Sequence, residues 1–134
     1  MKAVMISINP KWCLLIANGQ KAVEVRKNKP KLQTPFKCFI YCTEGEALAY
    51  PNLNNRYFHL MRTNNGSPYG RQMTIEEREM SDSLYANKKV IGEFICDYVY
   101  HDLSYDSSNT CVSAEELKQY ANGKPLYGWH ISDL

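Results

Sequence analysis

Five stretches of the chain carry the runs of apolar, β-branched and aromatic residues that predict β-strands. The predicted strands are residues 1–7, 21–26, 36–43, 89–100 and 126–132. In the third strand apolar residues occupy both parities, with Cys38 on one face and Phe39 on the other, so both faces are expected to be covered. Gly92 interrupts the fourth and strongest strand, and it predicts a β-bulge or a close backbone approach there.

Capping signals predict a short helix between the first two strands. Asn9 is an expected N-cap, and Pro10 fits the first helical position. Gly19 ends the helix, because glycine adopts the left-handed conformation of the C′ position without penalty. One buried face is expected from the i, i+3, i+4 spacing of Trp12, Leu15 and Ile16.

A second helix is predicted near the end of the chain. Ser113 and Glu116 have the spacing of a capping box, and Val112 and Leu117 have that of a hydrophobic staple. Gly123 marks where this helix stops. Both helices are short, and they do not alternate regularly with the strands, which argues against a doubly wound sheet.

Residues 44–88 break the pattern of apolar runs and are predicted to be an insertion in a single domain spanning 1–134. Within them, Thr74 and Glu77 form a capping box that predicts a helix continuing to about Tyr85. The predicted fold class is therefore α+β, a small mixed β-barrel of five or so strands with short helices at its rim.

Composition narrows the protein class. The chain has 134 residues, enough for one domain with its own core. Its five cysteines include no Cys-x-x-Cys pair, and three lie in apolar runs, so they are expected to be reduced and to pack as small hydrophobes, without a zinc site. The first apolar run is broken by Ser7, Asn9 and Pro10, so neither a signal peptide nor a membrane span is expected. The expected location is therefore the cytoplasm.

Charge is distributed unevenly along the chain. Residues 1–43 contain eight basic residues and one acidic residue, whereas 44–134 contain eight basic and thirteen acidic residues. A local positive field of this kind attracts polyanions even though the net charge is only +2. Lys11 and Lys27 are candidate contacts to nucleic acid, and a solvated lysine-rich loop is the alternative.

The densest group of charges lies between residues 19 and 26. Lys21, Glu24 and Arg26 fall within six residues at a predicted helix-to-strand turn. Glu24 and Arg26 share a strand face, while Lys21 has the opposite parity and joins them only if the turn re-aims it. If the three converge, the two cations are expected to lower the pKa of Glu24 and to contact phosphate. An exposed ion pair, worth ~0–1 kcal/mol, is the alternative interpretation.

These residues resemble a known family. The spacing Gly19-x-Lys21-x-x-Glu24-x-Arg26 after a short helix is similar to the G-x-K-x-x-E-x-R motif of the ASCH (activating signal cointegrator homology) domain. The segments 89–94 and 127–131 resemble the family's later characteristic segment and the end of its phage and bacterial members, respectively. The resemblance implies a PUA-like barrel with a cleft beside the first helix, lined by the motif and used to bind RNA or a modified nucleotide.

The resemblance also extends to branches whose members are enzymes. One bacterial branch hydrolyses the amide of N4-acetylcytidine with a Lys, a Thr and a downstream Glu, and its Thr position corresponds to Glu24 here, which puts that reaction in doubt. Glu115 or Glu116 corresponds loosely to the downstream Glu. Another branch is described as a metal-dependent ribonuclease, which the residues of this chain neither support nor exclude.

Further candidates lie outside the motif. Arg56, Tyr57 and Arg62 belong to a basic and aromatic stretch that suits single-stranded RNA or a lid over the cleft, while a loop packed on its own aromatics is the alternative. Trp129 alternates with other apolar residues and is predicted to lie in the core. His130 faces the other way and is a candidate for the cleft.

Three functions remain open at this level. The first is binding of RNA or a nucleotide, with Lys21 and Arg26 on phosphate and Glu24 on base or sugar. The second is hydrolysis of RNA or a modified nucleoside, with Lys21 and Glu24 catalytic. The third is a protein-interaction module with a vestigial cleft. We expect no cofactor, no metal and no membrane partner. Protein partners are possible, but the sequence does not specify them.

Overall fold

The computed structural model of the chain describes residues 1–49, 60–62, 85–104 and 108–134. Five strands form one mixed sheet: Ala3–Ile8 (β1), Val23–Arg26 (β2), Phe36–Cys42 (β3), Lys89–Tyr100 (β6) and Tyr127–Ser132 (β7). Their order in the sheet is β1-β3-β6-β7-β2. A separate two-stranded ladder joins Leu48–Ala49 (β4) to Met61–Arg62 (β5). The α+β class and the five predicted strands are confirmed.

Pairing in the main sheet is antiparallel except between β1 and β3, which run parallel. Strands β1 and β2 are its two edges, and within the described residues no ladder joins them. A sheet closed into a barrel is therefore not confirmed. The predicted bulge is present, because Ile40 pairs with Gly92 and the next residue, Tyr41, pairs with Val90, which leaves one residue of β6 without a partner.

Within the described residues the α-helices are α1, Pro10–Ala17, and α2, Ala114–Ala121, and a single 3-10 turn covers Ser108–Thr110. The Asn9 side chain accepts a hydrogen bond from the Lys11 backbone N–H, and Ser113 accepts one from that of Glu116, so both predicted N-caps are confirmed. The buried face of α1 differs from the predicted one. Its fully buried positions are Pro10, Cys13, Ile16 and Ala17.

Trp12 and Leu15 are only half-buried, because the buried face is centred on Cys13, Ile16 and Ala17, about one residue further along than predicted.

Two apolar clusters hold these elements together. The larger lies under α1 and includes the inward face of β3, Phe94 and Trp129, whose ring meets Phe36 edge-to-face at 5.7 Å. The core position predicted for Trp129 is therefore confirmed. The smaller lies under α2 and contains Leu117, with Val25 and Val112 packed against it.

Parts of the predicted insertion enter the larger cluster through Leu48, Leu60 and Ala86. The helix predicted from Thr74 lies outside the described residues except for Tyr85, which forms a β-bridge with Ala49. Neither described helix has the length and apolar character that crossing a lipid bilayer requires.

Candidate functional site

The turn that follows α1 positions Lys21, the first charged residue of the motif. Gly19 has φ +80°, and its N–H bonds the carbonyl of Ile16 at 3.1 Å while that of Gln20 bonds Leu15 at 2.9 Å. This Schellman arrangement reverses the chain at the position where glycine was predicted. Lys21 follows in the turn, two residues before β2 begins, so strand parity does not restrict the direction of its side chain.

Lys21 is 3% exposed, an unusual degree of burial for a lysine. Its Nζ donates a hydrogen bond to the backbone carbonyl of Thr110 and lies 3.9 Å from Oε1 of Glu24. The same ammonium lies 4.7 Å from the ring centroid of Trp12, which is cation–π distance. Backbone carbonyl, carboxylate and indole together replace the water that this charge loses on burial.

Glu24 and Arg26 project from the same face of β2, as their spacing predicted. Glu24 is 5% exposed, and its Oε2 lies 3.4 Å from Nη1 of Arg26. In the register of the sheet Glu24 faces Trp129, whose ring lies 5.9 Å from the Arg26 guanidinium. Lys21, Glu24 and Arg26 therefore form one continuous chain of charges with the carboxylate in the middle.

A cavity of about 250 Å³ lies against these charges. We call it the motif cleft. It occupies the gap between the two edge strands of the sheet and α2. The described residues that line it are Ser7, Ile8, Asn9, Trp12, Lys21, Glu24, Val25, Arg26, Val112, Glu116, Leu117 and Tyr120.

Burial controls the protonation of the two inner charges. Desolvation raises the pKa of Glu24, and this effect is larger than the opposing attraction of Lys21 and Arg26. The expectation that two cations lower this pKa is therefore wrong, because it did not include the loss of hydration. Desolvation also lowers the pKa of Lys21, against the opposing effect of Glu24. Burial thus makes the charged form of each side chain less favourable than it is in water, and shifts both pKa values toward neutral pH.

Two walls of the cleft are formed by aromatic rings, and a lysine side chain lies over each ring. Lys11 Nζ lies 4.6 Å from the ring centroid of Trp12, and Lys27 Nζ lies 4.6 Å from that of Tyr120. Both lysines are exposed. The predicted basic residues Lys11 and Lys27 are thereby brought to the two sides of the motif cleft.

Other predicted site residues lie elsewhere. The Nδ1 of His130 is 2.6 Å from Oδ1 of Asp97, and this hydrogen bond lowers the pKa of Asp97; His130 is not among the residues that line the motif cleft. Arg62 lies in β5, where its Nε is 3.3 Å from Oε1 of Glu46. Arg56 and Tyr57 fall outside the described residues.

The lining residues that were not predicted as site residues include Trp12 and Tyr120, while Glu116 was considered only as a loose counterpart of the downstream Glu in one branch of the family. Trp12 was interpreted as part of the buried face of α1. Glu116 and Tyr120 are four residues apart, so they share a face of α2 with Leu117 between them. That helical spacing, beside a capping box, is the signal that locates the second wall.

Among the described residues, no group of three or more His, Cys, Asp or Glu side chains is arranged to hold a metal ion. The ionisable groups of the cleft are two cations around one carboxylate, with Glu116 on the opposite wall. With two cations and two carboxylates, the lining suits a ligand that offers both negatively charged and hydrogen-bond-donating groups.

Comparisons with known proteins identify the fold. No protein-family model and no curated protein matches the chain. Among solved structures, the ASCH protein of Zymomonas mobilis matches with a TM-score of 0.58 and 15% identity, over 98% of this chain and 68% of that one. A tyrosine-to-phenylalanine variant of the same protein gives a TM-score of 0.59 over 99% and 70% of the two chains. The chain therefore has the fold of an ASCH domain.

Proposed function

We propose that this chain, which has the ASCH fold, binds RNA or a modified nucleotide in the motif cleft. The observation that carries the proposal is the burial of the Lys21–Glu24 pair, 3% and 5% exposed, in the wall of a cavity. A buried ion pair is weak evidence for stabilisation, since desolvation offsets most of its attraction. Buried, perturbed charges beside a cavity are instead typical of binding and catalytic sites.

The contacts of a bound nucleotide follow from the chemistry of each wall. Arg26, whose side chain is about one-third exposed, presents a fork of N–H donors that suits phosphate. Glu24 accepts hydrogen bonds from the amino group of a base or a sugar hydroxyl. Trp12 and Tyr120 supply ring faces for stacking. A cavity of about 250 Å³ suits one base, not a double helix.

The barrel and the location belong to the same proposal. The sheet is interpreted as a PUA-like barrel whose ladder stays open between β1 and β2, with the motif cleft at the opening. A cytoplasmic location fits an RNA or nucleotide ligand, and the five cysteines are all free thiols, as a reducing compartment requires.

RNA binding by the Lys21→Ala/Arg26→Ala variant tests the proposal. Both tryptophans of the chain lie beside the motif, so their fluorescence reports ligand directly. We expect the double variant to bind a labelled single-stranded RNA more weakly and with a flatter dependence on salt, by up to ~0.7 in slope for each lost phosphate contact. Lys118→Ala/Lys124→Ala, which removes two exposed lysines, is the matched control.

Unchanged affinity and unchanged salt dependence in the cleft variant would defeat the proposal. Arg26→Ala alone guards against misfolding, because its side chain is the most exposed of the three. Loss of binding in that single variant, at wild-type thermal stability, cannot be assigned to unfolding.

A hydrolase is the second candidate, and the raised pKa of Glu24 favours it. A carboxyl group desolvated in this way is suited to general base catalysis nearer neutral pH than an exposed one. In this reaction Glu24 takes a proton from the attacking water as the water oxygen bonds to phosphorus or to the acyl carbon, and Lys21 stabilises the developing negative charge. The bond to the leaving oxygen or nitrogen then breaks as Glu24 passes the proton to that atom. The substrate class is an RNA phosphodiester or a modified nucleoside.

Turnover on a panel of acylated nucleosides and short RNAs, with and without divalent metal, separates the two candidates. Activity that Glu24→Gln abolishes, in a variant that still binds RNA, supports the hydrolase. No turnover by the wild-type protein under either condition leaves the binding function alone.

A further inference from the structure

A second groove lies between the segment 27–35, which we call the basic loop, and the end of β6. Its volume is about 510 Å³, roughly twice that of the cleft. Lys29 and Thr34 line one side, and Tyr98 and His101 line the other. The described residues that form its lining include no carboxylate, although the neighbouring part of β6 carries Asp97.

Two tyrosines beside this groove are more exposed than large aromatic side chains usually are. Tyr98 is 56% exposed and Tyr100 is 39% exposed. They are two residues apart in β6, so they point to the same side of the sheet, while Val99 between them packs against the larger core cluster. Their rings meet edge-to-face at 4.8 Å, so the Tyr98 ring that lines the groove packs against its neighbour Tyr100.

The loop opposite these rings carries only positive charges. It contains Lys27, Lys29 and Lys31, and no Asp or Glu occurs between residues 27 and 35. All three lysines are exposed. Of the three, Lys29 lines the groove, whereas Lys27 lies over the Tyr120 ring of the motif cleft. Exposed rings on one side and an ammonium group on the other are the two components with which proteins hold single-stranded nucleic acid, by stacking on bases and by contacting phosphates.

The basic loop also connects this groove to the motif cleft. Arg26 lines the cleft and Lys29 lines the groove, three residues further along the chain. Three residues span at most about 11 Å, roughly the length of three stacked nucleotides at about 3.4 Å each. The loop is fixed next to Arg26 by a hydrogen bond of 3.4 Å from the Trp129 indole to the carbonyl of Asn28.

We infer that the groove between the basic loop and β6 binds the nucleotides that flank the one held in the motif cleft, as one continuous strand of single-stranded RNA. Tyr98 stacks on a base, and Lys29 contacts a phosphate. A strand with unpaired bases is required, because only unpaired bases expose a face to the ring. The inference rests on the proposed function, since the cleft supplies the register of the strand.

The test compares a single-stranded RNA of ten nucleotides with the four nucleoside 5′-monophosphates. Anisotropy measures the labelled RNA, and the indole N–H signals of the chain's two tryptophans measure occupation of the cleft by the monophosphates in an NMR titration. We expect Tyr98→Ala and Lys29→Ala each to weaken binding of the ten-nucleotide RNA by about tenfold. Neither variant should change monophosphate affinity by more than about twofold.

Two further variants serve as controls. Val90→Ala removes an exposed apolar side chain from the opposite end of β6, and Tyr98→Phe keeps the ring. Both should bind the long RNA like the wild type. Salt dependence should flatten in Lys29→Ala but not in Tyr98→Ala.

The outcomes separate the groove from the cleft. If Tyr98→Ala/Lys29→Ala binds the ten-nucleotide RNA like the wild type while Arg26→Ala weakens it, the groove inference is overturned and the cleft proposal stands. If none of these variants changes binding of either ligand, the proposed function fails and the groove inference fails with it.

Discussion

The guanidinium of Arg26, on edge strand β2, donates a hydrogen bond through Nη1 to the carbonyl oxygen of Ser7 on edge strand β1, at 3.2 Å. The same nitrogen lies 3.4 Å from Glu24 Oε2. One side chain therefore links the two open edges of the sheet and holds the central carboxylate of the motif. The motif cleft lies where these edges fail to pair, so its shape depends on this residue.

Replacing Arg26 by lysine separates charge from geometry. Lysine keeps the positive charge but cannot bond Ser7, Glu24 and a phosphate with one planar fork. We expect Arg26→Lys to weaken RNA binding by about three- to tenfold while the salt dependence stays close to that of the wild type, because the number of cations is the same. Stability should change by no more than ~1 kcal/mol, since the pair is partly exposed. Anisotropy titrations at several salt concentrations measure both effects, and wild-type affinity in this variant would show that the fork has no role.

The raised pKa of Glu24 predicts a pH dependence of stability. Between the usual glutamate pKa of 4.5 and its higher pKa in the folded state, Glu24 binds more protons in the folded state than in the unfolded one. Its contribution to the free energy of unfolding is therefore fully present below about pH 4.5 and is lost as pH rises through the folded pKa. Glu24→Gln removes this contribution, so the stability of the wild type relative to the variant should fall with rising pH.

Urea denaturation of both proteins between pH 4 and pH 8 tests this sign. Glu93→Gln, in the exposed ion pair with Lys37, is the control carboxylate. The effect of Lys21 has the opposite sign and applies at alkaline pH. Because burial lowers the pKa of Lys21, its contribution to the free energy of unfolding is present above about pH 10.5 and is lost as pH falls through its pKa in the folded state. A wild-type advantage that grew with pH over the acid range would contradict the burial effect assigned to Glu24.

Gly128 is required by close packing between β2 and β7. A Cβ at this position would lie 2.8 Å from Cγ1 of Val23 and 3.0 Å from Cδ1 of Leu103. The β-branched Val23 cannot move aside easily, so Gly128→Ala should lower the free energy of unfolding by about 1–3 kcal/mol. A double-mutant cycle with Val23→Ala measures the clash, because the second substitution removes the contacting methyl group. Additive effects of the two changes would show that no clash occurs.

His130 offers a contrast with Trp12. His130 bonds Asp97 at 2.6 Å, whereas Trp12 lines the motif cleft and contacts the Lys21 ammonium. We expect His130→Ala to leave RNA affinity within about twofold of the wild type, and Trp12→Ala to reduce it about tenfold through the lost stacking. Trp12→Phe, which keeps a ring, should recover part of the loss. Equal losses in His130→Ala and Trp12→Ala, at unchanged thermal stability, would instead give the histidine a binding role.

The elements that could be predicted are those with a local cause. The strand from Lys89 to Tyr100 follows from its own apolar run, and the N-caps at Asn9 and Ser113 follow from side chains that bond backbone two or three residues away. The G-x-K-x-x-E-x-R spacing identified the three motif residues for the same reason, since all of them lie within six positions.

What tertiary structure decided depends on residues far apart in the chain. Glu24 faces Trp129, and Lys21 bonds the carbonyl of Thr110, contacts that no local pattern contains. Those distant partners, together with α2, remove water from the motif, and this desolvation reverses the direction in which neighbouring cations alone would move the pKa of Glu24. Residue types and spacing come from the sequence, but burial is a sum over the whole fold, so the cleft and its protonation emerge only when the strands are assembled.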